Sequence, residues 1–374
     1  MPTLYKNVFM KKIVLPFLAV VMLFLATGCS TKFDVAAPYK NITVVYGLLD
    51  QRDTAHYIRI QKAFLDQNKN AVNMAQSPDS SFYSSLDVKM ELRDFNGNLS
   101  KTITLHRVDL NNEGYPKEAG AFFNSPNYAY KFTDVLDQQM IYTLKVRNTT
   151  TGEVDSAEAP VIADYSVPFG TIPPFYCYVL DDSSGNRAGL DFANTGAYSF
   201  FEISGRYTPD PSFLYNGQTT PAFFVQAIVR FNWVDSNIIS HQKTWQHYDY
   251  DAGYQNLASN SYDYKIQDIS LYSGLAAGMK SIPNTHRFID RAEVLLYMGT
   301  LDFSQYLQAN LTQGTGLTGS EIEPIYTNIK GANALGLFTS RAFHTGKLTI
   351  TNNTIDSLMA HPLFSGANIK GTAY

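Results

Sequence analysis

Apolar and polar positions alternate with period two along most of the chain between Asn41 and Ile162, the pattern of half-buried strands. Ile42 to Leu49 opens it as an apolar run. Tyr57-Ile58-Arg59-Ile60-Gln61 then alternates cleanly. Val88, Met90 and Leu92 point one way, while Lys89, Glu91 and Arg93 point the other. Asn96-Gly97 supplies a turn with positive φ, and Thr102 to Leu105 returns as the partner strand, so this stretch predicts a hairpin. Tyr142 to Val146 alternates again, Gly152 turns the chain, and Val154 to Ile162 forms a last strand. Between these, Asp66 to Ser85 is rich in Asn, Gln and Ser and reads as a long surface loop.

The same patterning continues beyond a linker bracketed by Pro160 and Pro168. Val225, Ala227, Val229, Phe231 and Trp233 share one face of a strand, with Gln226, Arg230 and Asn232 on the other. Phe200 to Ile203, Ala292 to Met298 and Lys347 to Thr351 read as further strands. One helix is expected where Phe303, Tyr306, Leu307, Asn310 and Leu311 fall at helical spacing, with Asp302 and Gln305 as a capping box. No internal repeat at a fixed period points to a solenoid or propeller. In the first region, Leu136 precedes Tyr142 by six residues, which resembles the tyrosine corner of immunoglobulin and fibronectin type III sandwiches. The expected fold is mainly β. An immunoglobulin/fibronectin III-like β-sandwich spans 41–164, and a larger β-rich domain with one or two short helices spans 165–374.

The N-terminus changes the picture from fold to address. Met10-Lys11-Lys12 precedes an apolar stretch from Ile13 to Leu25, the layout of a secretory signal. The stretch ends in Leu25-Ala26-Thr27-Gly28-Cys29-Ser30, small residues before a cysteine, which resembles a bacterial lipobox. That resemblance implies cleavage of a signal peptide at 1–28, lipid on the Cys29 thiol and a lipidated tether at 29–40. A membrane anchor, or an ordinary signal peptide with a chance Cys, is the alternative. Removing residues 1–28 deletes Lys6, Lys11 and Lys12 and no acid, so the net charge moves from −4 to −7. An acidic chain of this kind is held to a membrane by lipid rather than by charge, and nucleic acid is excluded as a natural partner. Of the 374 residues 45% are hydrophobic and 17% charged, which excludes a disordered chain. Cys177 is the only other thiol, so no internal disulfide forms once Cys29 is lipidated. Its neighbours Phe175, Tyr176 and Tyr178 mark it as a small buried hydrophobe.

Pro324-Ile325-Tyr326-Thr327-Asn328-Ile329-Lys330-Gly331 leads into Leu335-Gly336-Leu337-Phe338. This succession resembles a Bacteroidota family of outer-membrane lipoproteins of unknown function. Those proteins carry a lipobox, an immunoglobulin-like N-terminal part and a C-terminal Tyr-Ser-Asn-Ile motif running into a Gly-Ile-Phe-Gly strand. Here Ala332-Asn333-Ala334 interrupts the glycine-rich turn, and Thr339 stands where the family usually has Gly. The resemblance implies an outer-membrane lipoprotein, often encoded beside TonB-dependent transporters, and no activity. The residues themselves suggest that Gly331 and Gly336 permit tight backbone turns around Asn328 rather than line a ligand site.

Candidate chemistry is sparse. No His-Glu-x-x-His, Gly-x-Ser-x-Gly or phosphate-cradling glycine loop occurs. The densest polar group is His241, His247, Asp249 and Asp251, interleaved with Trp245, Tyr248 and Tyr250. His247 and Asp249 fall on one face of a strand, as two metal ligands would; a polar strand edge is the plainer reading, and no metal is assigned. Trp245, His247, Tyr248, Asp249 and Tyr250 are the candidate contacts to a ligand or partner, through ring stacking or a protein interface. Asp181 to Asn186 has the composition of a calcium loop without its spacing and reads as a surface turn. Asp53-Thr54-Ala55, Asp155-Ser156-Ala157 and Asp356-Ser357-Leu358 match the Asp-Ser/Thr-apolar tripeptide that Bacteroidota glycosylate, so Thr54, Ser156 and Ser357 are candidate acceptors, with turns at strand ends as the alternative. The expected function is a non-enzymatic outer-membrane lipoprotein without cofactor. It would serve as a binding or accessory subunit beside an outer-membrane barrel such as a TonB-dependent receptor. A surface glycan- or polymer-binding lipoprotein is the alternative.

Overall fold

Of the first eight strands, six arise where the alternation places them, and the fifth and sixth are not marked by it. The eight are β1 (Ile42–Asp50), β2 (His56–Ala63), β3 (Leu86–Arg93), β4 (Leu99–Thr104), β5 (His106–Asp109), β6 (Tyr128–Phe132), β7 (Ile141–Asn148) and β8 (Val154–Pro160). The computed structural model describes residues 42–63, 71–163, 178–179, 200–206, 211–257, 261–311, 326–348, 350 and 352–373. The signal segment 1–28, the tether 29–40 with Cys29, Cys177 and the Asp181–Asn186 turn lie outside the described residues.

β4, β3, β7 and β8 lie side by side as a four-stranded sheet, and β1, β2, β6 and β5 form one end of a nine-stranded sheet. The inner faces share a core. Val45, Leu49, Ile58 and Ile60 from the large sheet join Val88, Met90, Leu92, Leu144 and Val146 from the small one. Tyr142 is fully buried, and its hydroxyl accepts the Asp137 backbone N–H at 2.9 Å, the corner contact that its spacing from Leu136 suggested. Burial pushes its phenol up to about 12. The Asp66–Ser85 stretch is not one long loop. It contains α1 (Ala71–Ala75) and α2 (Pro78–Ser81). Met74, Ala75, Phe82 and Tyr83 are buried there, apolar positions that the surrounding Asn and Ser had masked.

The remaining elements are β9 (Tyr178–Val179), β10 (Phe200–Arg206), β11 (Phe224–Asn237), β12 (Lys243–Asn256), β13 (Ser261–Gln267), α3 (Asp268–Gly278), β14 (Thr285–Gly299), α4 (Leu301–Leu311), β15 (Ala334–Leu348), α5 (Asn352–Ala360) and β16 (Ile369–Thr372). The large sheet continues from β1 through β15, β14 and β11 to β12; β13, β10 and β9 make a separate three-stranded sheet. One edge of β14 is shared, because β16 pairs with Arg287 to Ile289 and β15 with Ala292 to Gly299. The alternating face of β11 is the buried one. Val225, Ala227, Val229, Phe231 and Trp233 are at most 3% exposed and pack with Val294, Leu296 and Met298 of β14. Leu271, Leu275, Ile355 and Leu358, from α3 and α5, belong to the same core and cover that face.

The fold is mainly β, with few and short helices. The large sheet takes strands from both sides of residue 164. β1 pairs parallel with β15 over eight registered residues, from Thr43↔Ala334 to Asp50↔Arg341. Ile329, Ala334 and Phe338 therefore belong to the core of the first region. The described residues accordingly belong to one compact unit. The capping box expected in α4 is also displaced. Thr300 caps the helix, its hydroxyl accepting the Phe303 N–H at 3.2 Å, while Asp302 is engaged elsewhere.

Candidate functional site

All five candidate contact residues lie on β12, the last strand of the nine-stranded sheet among the described residues. Its antiparallel register with β11 divides them between two faces. Tyr248 and Tyr250 turn toward the core under α3. A Cβ on Gly274 would sit 1.8 Å from the Tyr248 hydroxyl, so that glycine is what lets the ring reach the helix. The Tyr250 hydroxyl meets Ser270 Oγ at 3.0 Å. These two rings anchor α3 and are not offered to a ligand.

Trp245, His247 and Asp249 occupy the opposite face. Asp249 accepts two hydrogen bonds from the Arg230 guanidinium, both at 2.7 Å. Those bonds hold its carboxyl below the usual carboxylate range, so both oxygens already have a cation. No group of three or more metal-binding side chains occurs among the described residues. Trp245 is 65% exposed, a large ring standing in solvent beside Val234. The regular edge of β12 ends at a bulge opposite Gln226 and Ile228, where Gly253 adopts φ +85° and donates to Asp251 Oδ1 at 2.8 Å.

A second polar constellation is built from the Tyr326–Phe338 motif. The Asn328 side chain imitates a strand. Its Oδ1 accepts the Phe338 N–H at 2.9 Å, and its Nδ2 donates to the Phe338 carbonyl at 2.7 Å. Nδ2 also reaches Asp302 Oδ2 at 3.2 Å, and the Tyr326 hydroxyl donates to Asp302 Oδ1 at 2.5 Å. Burial, then the Asp302 carboxylate, pushes the Tyr326 phenol above its ordinary value. Phe338 is fully buried, and its ring occupies the space that a side chain on Gly47 would need. Gly336 has φ +121°, and a Cβ there would lie 1.9 Å from the Val45 carbonyl oxygen. Only glycine permits that approach of β15 to β1. Gly331 leaves room in the same way for the Asp155 carboxylate. Gly336 thus serves a backbone approach and Gly331 makes room for a side chain, where tight turns around Asn328 were expected, and the motif is a seam between distant parts of the chain.

Two further charged clusters carried no sequence signal. Asp50, at 2% side-chain exposure, accepts from Arg52 at 3.1 and 3.0 Å and from Arg341 at 3.2 Å. Burial pushes its carboxyl up, but the two arginines outweigh burial and leave it below the ordinary value. Arg287, 2% exposed, donates to Asp235 at 2.8 Å and to the carbonyls of Met279, Lys280 and Ala367. Arg52 lies in the turn after β1 and Arg287 on the buried face of β14, and the partners Arg341 and Ala367 are far off in the sequence.

The candidate acceptors fall in three settings. Thr54 is exposed in the turn between β1 and β2. Ser156 lies within β8, its backbone bonded to Lys330 in both directions. Ser357 is half-buried in α5. No protein-family model and no curated protein matches the chain.

Proposed function

We propose that the chain is a non-enzymatic outer-membrane lipoprotein, anchored through lipid on Cys29. It acts as a binding or accessory subunit of an outer-membrane transport or assembly complex of the TonB-dependent type. In this reading the 41–164 region is an immunoglobulin-like sandwich. The strand orders β1-β2-β6-β5 and β4-β3-β7-β8 support that, because they correspond to A-B-E-D facing C′-C-F-G. Such a fold carries no activity of its own; function resides in what its surfaces present.

The observation that carries the binding role is β12. It is a strand of 14 residues at the end of the large sheet, exposed over most of its length. An edge of that length presents backbone donors and acceptors to which a partner adds a strand, with side chains such as His247 setting the register. The lipid tether keeps the edge at high local concentration beside a membrane-embedded partner. Of the candidate rings only Trp245 supports the glycan-binding alternative, since Tyr248 and Tyr250 are turned to the core and a stacking platform needs exposed rings.

The test is recovery of the native lipoprotein from membranes in mild detergent, with a photo-crosslinking residue at His247 or at Thr102 on β4. The expected result is a barrel protein crosslinked from His247, not from Thr102, and lost in a mislocalised Cys29→Ala variant. Recovery of the lipoprotein alone, or crosslinking from Thr102 instead, contradicts the reading.

A further inference from the structure

The end of the large sheet at the β11–β12 turn inverts the usual surface rule. Ile238 and Ile239 form the tip of that hairpin, and Ile239 is 71% exposed. Ile282, in the loop between α3 and β14, is also exposed. The two loops are laced together, because the Ile238 N–H donates to the Asn284 carbonyl at 2.8 Å. Trp245 stands on the same hairpin, about 10 Å of extended strand back from the turn. Single exposed aliphatics are ordinary, but three isoleucines and a tryptophan on two joined loops are not.

Charge follows the same division. Residues 236–248, 269–289 and 357–374 contain no Asp or Glu, in a chain whose net charge is −4. Lys243 and Lys280 flank the isoleucines and are exposed. The display is rigid. Asn237 Oδ1 accepts the Ile239 and Ser240 N–H groups, each at 2.9 Å. Arg287 ties the base of the platform together by bonding Asp235 of β11 and the Met279 and Lys280 carbonyls of the neighbouring loop.

We propose that this tip is a membrane-docking site that inserts into a bilayer surface bearing anionic headgroups. Ile238, Ile239 and Ile282 enter the acyl boundary, Trp245 sits at headgroup level, and Lys243 and Lys280 meet the phosphates. A protein partner is a poorer occupant. Protein interfaces gain little from a narrow aliphatic point ringed by lysine, whereas a fluid bilayer closes around it. The proposal goes beyond the lipid anchor, because it fixes how the folded part is oriented on the membrane. With the tip in the bilayer, β12 rises from the surface with its edge turned to neighbours in the same membrane.

The chain reports on itself, because Trp233 and Trp245 are its only two tryptophans and Trp233 is buried. The native lipoprotein is mixed with phosphatidylethanolamine–phosphatidylglycerol vesicles whose acyl chains are brominated, and tryptophan emission is recorded. The expected result is a blue shift with quenching, weaker with phosphatidylcholine vesicles and absent in Trp245→Phe. The double variants Ile239→Asp/Ile282→Asp and Lys243→Glu/Lys280→Glu, checked for folding by circular dichroism, lose the quenching. Unquenched emission from the native protein overturns the proposal whether or not the chain floats with the vesicles. Quenching that persists in the aspartate variant overturns it too. Flotation without quenching leaves the anchored reading intact. Quenching without stable flotation counts against lipid at Cys29 and not against the tip.

Discussion

The seam at 326–341 and the tip at 236–245 lie on the same large sheet and break opposite rules. At the seam polar groups are half-buried or buried, and they are bonded to one another. Asn328 closes on the Phe338 backbone, and Asp302 accepts from both Asn328 and Tyr326. Thr300 and Thr339 hydroxyls meet nearby, both buried. At the tip apolar groups stand exposed, Ile239 by 71% and Trp245 by 65%. A buried, satisfied polar network specifies one fold. An exposed apolar cluster stabilises nothing inside the chain and so marks a contact outside it. The seam explains how the molecule is held together, and the tip explains where it would touch something else.

Substitutions at the seam are the harshest way to break that contrast. Gly336→Val drives a side chain into the Val45 carbonyl from a positive-φ position, and is expected to cost more than about 4 kcal/mol. In denaturant titration the variant should unfold without a native baseline; a native-like midpoint would contradict the seam geometry. Arg287→Met leaves Asp235 buried without its cation and is expected to cost about 3–5 kcal/mol, since breaking a buried pair strands a charge. Asn328→Ala removes two bonds to Phe338 and is expected to cost about 1–3 kcal/mol, with the β1–β15 pair losing hydrogen-exchange protection first.

Acid provides a finer test. Burial holds the His56 and His344 imidazoles below their ordinary value, so the unfolded chain takes up protons before the folded one does. Stability from these groups is complete above the unfolded value near 6.5 and is lost as pH falls from there toward the depressed folded values. Asp50 acts in a separate window. Its folded value is depressed, so its contribution is present above the unfolded value near 4 and lost as pH falls through the folded one. Urea midpoints measured from pH 7 to 3 should therefore fall in two steps, the lower one smaller in Asp50→Asn, with Asp249 still contributing to it. Ile239→Asp has the smallest expected effect, within about 0.5 kcal/mol, because that side chain is 71% exposed. A large loss of stability there would mean that the tip belongs to the core after all.

How much of this could be read from residues follows the range of each interaction. The buried face of β11 and the β3–β4 hairpin were legible because alternation is a local signal that burial on one face imposes. Tyr142 was legible because its contact lies five residues away. The parallel pairing of β1 with β15 was not, because Asp50 and Arg341 are 291 positions apart and no local period encodes their meeting. The 326–338 motif stood out as a pattern, but its purpose needed the strand it clamps. The aromatic run 245–250 looked like one cluster in the chain. The period of two then sent Tyr248 and Tyr250 inward and left Trp245 outside. The acid-free stretches 236–248, 269–289 and 357–374 were visible in the sequence, yet they formed a signal only once the fold had brought them to one end.

Hydrogen exchange of the full-length protein, compared in detergent and in anionic vesicles, tests the contrast most directly. The account expects amides of the seam, around Asn328 to Phe338, to exchange slowest and equally in both. Amides of the tip, from Ser236 to Trp245 and from 279 to 284, should gain protection only in vesicles. Equal exchange of the tip in the two environments, or a seam that exchanges as fast as the tip, would contradict it.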